Sequence, residues 1–127
     1  MHITSGKFEQ LVRSITADMQ RALPPELRDK AQRVIVGIAD RPSREQYGQV
    51  ENNDDDLLGL YEGTPLPERH IDDLFILPDQ ITLFRMPLMD LCANEAELRE
   101  EIRLTLMHEL GHYFGFEEGD LEKLGFA

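Results

Sequence analysis

The sequence predicts a domain of the α/β or α+β class, in which helices pack on a small sheet. Three observations lead to this prediction: an amphipathic pattern near the N-terminus, three short apolar runs of β type in the middle, and a long helical segment near the C-terminus. Elements in that order bury their apolar faces by packing against one another. A chain of 127 residues has the length of one domain, and we expect a single domain over residues 1–127.

The first predicted helix begins near Ser5 and ends before Pro24. Proline disfavours helical geometry in the residue before it, so the Pro24-Pro25 pair ends the helix. Pro25 suits the first position of a short helical turn over residues 25–31. The apolar residues of the first helix have the spacing i, i+3, i+4, i+7 and i+11 of one helix face, and they are Phe8, Leu11, Val12, Ile15 and Met19.

Three apolar runs predict the strands. Residues 34–39 (VIVGIA) are mostly β-branched, which favours a buried strand. Residues 57–61 (LLGLY) are the second candidate, and residues 81–86 (ITLFRM), ended by Pro87, are the third. Residues 75–77 are a further short candidate.

The segments between these runs predict connections. Residues 42–47 are expected to form a helical turn. Residues 51–56 (ENNDDD) are acidic but lack the ligand spacing of an EF-hand, so a solvated loop is the preferred interpretation. Residues 62–70 contain a glycine and two prolines, which indicates an irregular surface connection.

A long helix is predicted from Asn94 to about Phe114. Asn94 followed by Glu97 has the form of a capping box at the helix start. Gly115 can end the helix because glycine adopts the left-handed conformation without a Cβ penalty.

This helix carries His108-Glu109-Leu110-Gly111-His112, the HExxH pattern of zinc hydrolases. Residues four apart lie one turn above each other, so His108 and His112 can chelate one zinc ion. Glu109 lies close enough to take a proton from a zinc-activated water and pass it to a leaving amine. The alternative is an exposed helix face with two solvated histidines.

A catalytic zinc usually has three protein ligands, so one more is needed. After a sharp turn at Gly115, nearby acidic residues can fold back towards the histidines: Glu117, Glu118, Asp120 and Glu122. The upstream acids Asp72, Asp73 and Asp90 remain alternatives.

The run HELGHYFGFEE resembles the HExxHxxGxxD signature of the small bacterial zincin-like metallopeptidases, or minimal zincins. The blocks LLGLYEGTPLPER and LPDQITLFRMPL, the N-terminal helix region and the C-terminal tail also resemble that family's blocks, in the same order. The resemblance places the third zinc ligand at Glu118, where the family generally has aspartate, and Asp120 is the substitute candidate. No methionine follows Met107, so the larger metzincin pattern is absent.

The resemblance also implies an architecture: a compact α+β zincin-like domain with a small mixed sheet and a C-terminal active-site helix. In zincins generally, an extended peptide pairs with the edge strand above the metal. Residues 57–61 are the candidate for part of that wall. We expect Tyr61 and Arg69 to support the loop beside this cleft, with a substrate role as the weaker alternative. Packing is the preferred interpretation for Tyr113 over stabilisation of an oxyanion, and Thr105 could orient a histidine.

Composition limits the partners. The formal net charge is −12, which argues against nucleic acid as the main partner. No apolar signal region or 18-residue apolar stretch is present, so a cytoplasmic protein without membrane contact is expected, with a monomer as the default. The single cysteine, Cys92, is expected to be a small buried thiol.

The function that these patterns favour is a zinc-dependent peptidase acting on peptide or protein substrates, with Glu109 as general base. One alternative is a non-catalytic zincin-like module that binds peptides and retains a structural metal. A metal-dependent hydrolase of RNA ranks last, because the chain is acidic.

Overall fold

A computed structural model describes most of the chain, namely residues 1–49, 57–69, 78–117 and 120–123, the side chains of residues 121 and 122 excepted. The predicted loop at 51–56 and the strand candidate at 75–77 lie outside these ranges. Within them, no helix has both the length and the apolar character needed to cross a membrane.

The fold is α+β, as predicted. In the described part of the chain, a three-stranded mixed sheet has the strand order β1-β3-β2, with β1 parallel and β2 antiparallel to β3. A 3-10 turn, Leu66–Glu68, follows β2. The helices and strands are α1 (Ser5–Ala22), α2 (Pro25–Ala31), β1 (Ile35–Ala39), α3 (Arg44–Gly48), β2 (Gly59–Glu62), β3 (Gln80–Phe84), α4 (Arg85–Leu91), α5 (Glu95–Phe114) and α6 (Asp120–Lys123).

Helix α1 forms the face that its periodicity predicts. The Thr4 hydroxyl accepts a hydrogen bond from the Lys7 N–H and caps the first turn. The apolar stripe is buried at all five predicted positions: Phe8, Leu11, Val12, Ile15 and Met19. It packs against α5, and β3 lies in the same apolar core.

The first strand is not the buried strand that its composition predicts. It begins at Ile35, one residue later than predicted, and none of its residues is fully buried; Ile35 is 56% exposed. The physical reason is its position at one edge of the sheet, where β3 is its neighbour. Val34, which precedes the strand, is the residue that enters the core.

The third strand ends earlier than predicted, and a helix follows it at once. Strand β3 stops at Phe84 and α4 begins at Arg85, so Pro87 lies in the first turn of a helix instead of ending a strand. A proline is tolerated there because first-turn N–H groups have no partner within the helix. The Arg85 guanidinium donates from Nε to the Asp40 carboxylate at 2.8 Å and from Nη1 to the Ile3 carbonyl at 2.6 Å, which fixes the start of α4.

The second strand lies at the other edge of the sheet. It spans Gly59–Glu62, shifted towards the C-terminus from the predicted 57–61, although the Leu58 carbonyl still accepts a hydrogen bond from the Phe84 N–H at 2.9 Å. Strand β2 also contacts α5, and its Tyr61 N–H bonds to Glu109 of that helix. Whether residues 57–61 form a wall for a bound peptide stays a prediction.

Helix α5 begins and ends at the residues that its sequence predicts, but the predicted capping box is only half formed, because Glu97 bonds to the N–H before the cap residue. The Asn94 side chain accepts the Glu97 N–H at 2.9 Å, while Glu97 reaches back to the N–H of Ala93 at 2.6 Å. At the other end, Gly115 has a φ of 78°, and the carbonyls of the last turn accept N–H groups from beyond the helix. A Cβ at Gly115 would lie 2.3 Å from Cγ of Pro67, so the 3-10 turn also approaches closely here.

Candidate metal centre

Three side chains of the HExxH segment lie together on α5. One potential ligand atom from each of His108, Glu109 and His112 lies within 4.8 Å of the others. The two imidazole rings have centroids 4.6 Å apart. Their side chains are 59% and 52% exposed, whereas that of Glu109 is 7% exposed. The helix therefore presents two accessible imidazoles beside a buried carboxylate.

This donor set fits a transition-metal ion. Imidazole nitrogens bind zinc at about 2.0–2.1 Å, and two of them one helical turn apart can share one ion. A hydrogen bond to Glu109 raises the pKa of His112, against the opposing effect of partial burial. Because an imidazole must be neutral to bind a metal, protons compete with the ion at His112.

The buried carboxylate is held by the sheet. Oε1 of Glu109 accepts a hydrogen bond of 2.8 Å from the backbone N–H of Tyr61 on β2. Oε1 also lies 3.4 Å from Nδ1 of His112, and Oε2 lies 3.9 Å from Nε2 of His108. The contact to the strand fixes the direction in which the carboxylate points.

The side chain of Tyr61 is held in turn by an ion pair between the buried Asp79 and the partly buried Arg69. Its hydroxyl donates to Oδ1 of Asp79 at 2.6 Å, and Arg69 donates to Oδ2 of the same carboxylate. Arg69 also donates from Nε to the Thr64 carbonyl at 2.9 Å. Through its two partners, Arg69 connects the loop after β2 to the residue before β3. Burial and the hydrogen bond to Asp79 raise the pKa of Tyr61. Tyr61 and Arg69 thus support the loop, as expected.

Gly63 makes room for this network. Its φ is 154°, and a Cβ there would lie 2.5 Å from Oδ1 of Asp79 and 2.8 Å from the Tyr61 hydroxyl. The close approach of the backbone to the Asp79 carboxylate therefore needs a glycine at this position.

Two further residues near the site serve in packing. Tyr113 is 1% exposed, donates its hydroxyl to the Lys30 carbonyl at 3.0 Å and packs edge-on against Tyr61. This agrees with the packing role predicted for it. Thr105 is buried, and a Cβ built on Gly59 would lie 2.7 Å from its methyl carbon. Thr105 therefore lies where β2 approaches α5 most closely, and its expected role in orienting a histidine stays a prediction.

The structure describes only some of the candidates for the third metal ligand. Glu118 lies outside the described residues, as do Asp72 and Asp73 and the side chain of Glu122. Among the described residues, the cluster of potential ligand atoms consists of His108, Glu109 and His112 and does not include Asp120. Its Oδ2 accepts a hydrogen bond from the Glu117 N–H at 2.8 Å, so this carboxylate is engaged by local backbone.

Sequence reasoning missed two parts of the site: the Asp79 carboxylate and the backbone N–H of Tyr61. Both act over long sequence separations, 18 residues from Asp79 to Tyr61 and 48 from Tyr61 to Glu109. A lone aspartate before a strand carries no local signal of burial. A backbone N–H carries no signal in the sequence at all.

Comparison with known proteins agrees with this geometry. A sequence profile described as zincin-like metallopeptidase matches residues 31–126, which is 96 of the 127 residues. Among curated proteins, no sequence matches the chain. The matched region contains the sheet, α5 and the His-Glu-His group. The chain therefore belongs to the zincin-like metallopeptidase family.

Proposed function

We propose that the protein is a zinc-dependent peptidase in which His108 and His112 bind the metal and Glu109 is the general base. The geometry of Glu109 carries this proposal. A carboxylate is buried at 5% exposure beside two exposed imidazoles, and its orientation is set by the backbone of a neighbouring strand. A purely structural metal site has no use for such a group.

The two oxygens of Glu109 have different tasks in this proposal. Oε1 is held by the Tyr61 N–H, which leaves Oε2 to take a proton from the attacking water and deliver it to the leaving amine. A bound zinc ion supplies polarisation of the scissile carbonyl and lowers the pKa of water from about 15.7 towards about 7. The hydrogen bond from the Tyr61 N–H holds the Glu109 carboxylate in one orientation.

The family signature supports Glu118 as the third ligand. The tight turn at Gly115, fixed by its left-handed backbone, redirects the chain only three residues before Glu118. Asp120 is the alternative, at the cost of its hydrogen bond to the Glu117 N–H.

A peptide or protein is the proposed substrate. The chain belongs to a family of metallopeptidases, and strand β2 lies beside the histidine pair, where its Tyr61 N–H bonds to Glu109. The net charge of −12 disfavours a nucleic-acid substrate.

Metal stoichiometry tests the ligand set. We expect about one zinc per chain by native mass spectrometry, and a loss of zinc in Glu118→Ala. The variants Asp120→Ala and Glu117→Ala, the latter a neighbouring exposed glutamate, are the matched controls and should keep the metal. Zinc loss in Asp120→Ala alone, or in Glu117→Ala alone, would move the third ligand to that residue.

Hydrolysis of a library of unstructured peptides tests the activity. Glu109→Gln should retain zinc and lose cleavage, because a carboxamide cannot take the proton. If the wild type binds zinc and cleaves no peptide, the peptidase proposal fails and a peptide-binding module with a structural metal takes its place. If the purified chain takes up no zinc after reconstitution, the metal site fails as well.

A further inference from the structure

The loop that follows β2, residues 63–69, is closed by a bond of its own and contains the 3-10 turn. Nε of Arg69 donates to the Thr64 carbonyl at 2.9 Å, which joins the two ends of the loop. Pro65 and Pro67 lie between these ends, and the ring of each proline fixes its φ angle. The loop therefore has little freedom to change its shape.

Arg69 also anchors the loop to the sheet and to α5. Its Nη2 donates to Oδ2 of Asp79, the residue before β3, whose side chain is 7% exposed. The guanidinium carbon lies 5.7 Å from the ring centroid of Tyr113, which attracts a cation placed over its face. Tyr113 directly follows the candidate metal ligand His112. The loop is thus held at a defined position relative to the metal centre.

Pro67 packs against the glycine that ends α5. It is exposed, yet a Cβ built on Gly115 would overlap Cγ and Cδ of its ring. The Gly115 N–H donates to the His112 carbonyl at 3.1 Å, and the Phe116 N–H donates to the Gly111 carbonyl at 2.8 Å. The proline ring therefore lies against the turn at which the chain leaves the helix that carries both histidines.

This turn precedes the acidic residues from which the third metal ligand is expected. A ligand must be held within roughly 0.5 Å of its productive position, so the chain that carries it needs support. Phe116 packs against the apolar core and supplies part of that support. The contact between Pro67 and Gly115 supplies a second support, which comes from a different segment of the chain.

We propose that Pro67 is a positioning residue for the metal centre: through Gly115, it holds the turn after α5 so that an acidic residue beyond this turn binds the zinc. This inference rests on the proposed function and adds a residue that is not itself a metal ligand. It applies to Glu118 and to Asp120 alike, because both follow Gly115. The physical effect is preorganisation: without the ring, zinc binding must also order the turn, and that ordering costs affinity.

Zinc affinity, measured by competition with a chelator of known Kd, tests this role in Pro67→Ala. Alanine keeps Cβ and lacks Cγ and Cδ, the two ring atoms closest to Gly115. Residues that orient metal ligands typically contribute roughly 10- to 100-fold to metal affinity, so we expect a loss of about 10-fold.

The visible spectrum of the Co²⁺-loaded protein is the second readout. Four-coordinate Co²⁺ absorbs more strongly than Co²⁺ with five or six ligands. When water replaces the carboxylate, the coordination number should rise, so the absorption of Pro67→Ala should be weaker than that of the wild type. A change in stability alone, in a chain that remains folded, does not alter this spectrum.

The matched control is Pro25→Ala, which replaces an exposed proline at the first position of α2. It should keep the wild-type zinc affinity and Co²⁺ spectrum. Wild-type affinity or a wild-type spectrum in Pro67→Ala would overturn the positioning role and leave the metal centre standing. An equal loss of affinity in Pro25→Ala would overturn it as well. Failure of the wild-type chain to take up zinc would overturn the proposed function and this inference together.

Discussion

Glu109 has a structural task as well as its proposed chemical one, and substitution separates the two. In Glu109→Gln, the amide oxygen can still accept the Tyr61 N–H at the position of Oε1, so we expect a loss of stability under about 1 kcal/mol. Glu109→Ala removes the acceptor and leaves the Tyr61 N–H without it, which should cost about 1–3 kcal/mol. Urea unfolding of the metal-free proteins measures both values. Equal stability of the two variants would show that the contact with β2 contributes little.

Tyr61 makes stability depend on pH in the alkaline range. Burial and the hydrogen bond to Asp79 raise the pKa of its phenol above the usual value near 10. The folded state thus holds a proton that the unfolded state releases, so the stabilisation is complete below pH about 10 and declines as the pH rises further. Urea midpoints between pH 8 and pH 11 should show this decline in the wild type.

Tyr61→Phe should weaken the alkaline decline while lowering stability at neutral pH by about 1.5–3 kcal/mol, the value of a hydrogen bond to a charged group. Some decline in stability should remain in this variant, because burial also raises the pKa of Tyr113. Tyr47→Phe on α3 is the matched control and should follow the wild type. A decline in Tyr61→Phe as steep as in the wild type would contradict this assignment.

At the scale of elements, the junction between the end of α5 and the 3-10 turn depends on one glycine. In Gly115→Ala, the left-handed backbone and the overlap with Pro67 should together cost about 2–4 kcal/mol. Gly48→Ala on α3, where a Cβ meets nothing within 4 Å, should be neutral or stabilising by up to about 1 kcal/mol. Thermal unfolding of both variants checks the difference. Similar effects at the two glycines would mean that Pro67 moves aside at little cost.

The elements that the sequence predicts well are those with local signals. The stripe of α1 and the ends of α5 follow from residues that lie within one or two helical turns of each other. Strand limits were less predictable, because β2 and β3 end where their pairing ends and not where their apolar runs end. Helix α4 was missed because Pro87 indicates a stop when read after a strand but is also compatible with the first turn of a helix.

The candidate site also has a part that local sequence signals predict and a part that they do not. The i, i+4 spacing predicts that His108 and His112 share a helix face, and the structure brings them together. The support of Glu109 by β2 and the burial of Asp79 depend on tertiary packing between distant segments, which a pattern of residues along the chain does not encode.

At the scale of the whole molecule, metal binding should add to stability. A ligand that binds only the folded state at 100 times its Kd stabilises it by about 2.7 kcal/mol, which corresponds to a rise in Tm of roughly 10 °C for a chain of this size. Calorimetric scans with zinc and with a chelator should show this shift in the wild type and lose it in His112→Ala. His2→Ala, which alters an exposed histidine near the N-terminus, should keep the shift. A full shift in His112→Ala would place the bound zinc elsewhere.

The outer edge of β1 affects how readily two molecules associate when the pH falls. Its sequence, IVGIA, has no charged residue, and among the described residues no strand pairs with its outer edge, so this edge offers backbone groups that can template pairing with a second molecule. Repulsion between chains of net charge −12 opposes such contact near neutral pH. Near the isoelectric point of about 4.6 that repulsion disappears while the apolar edge remains. We therefore expect acidification to favour association through β1, with the excess of carboxylates opposing it at neutral pH.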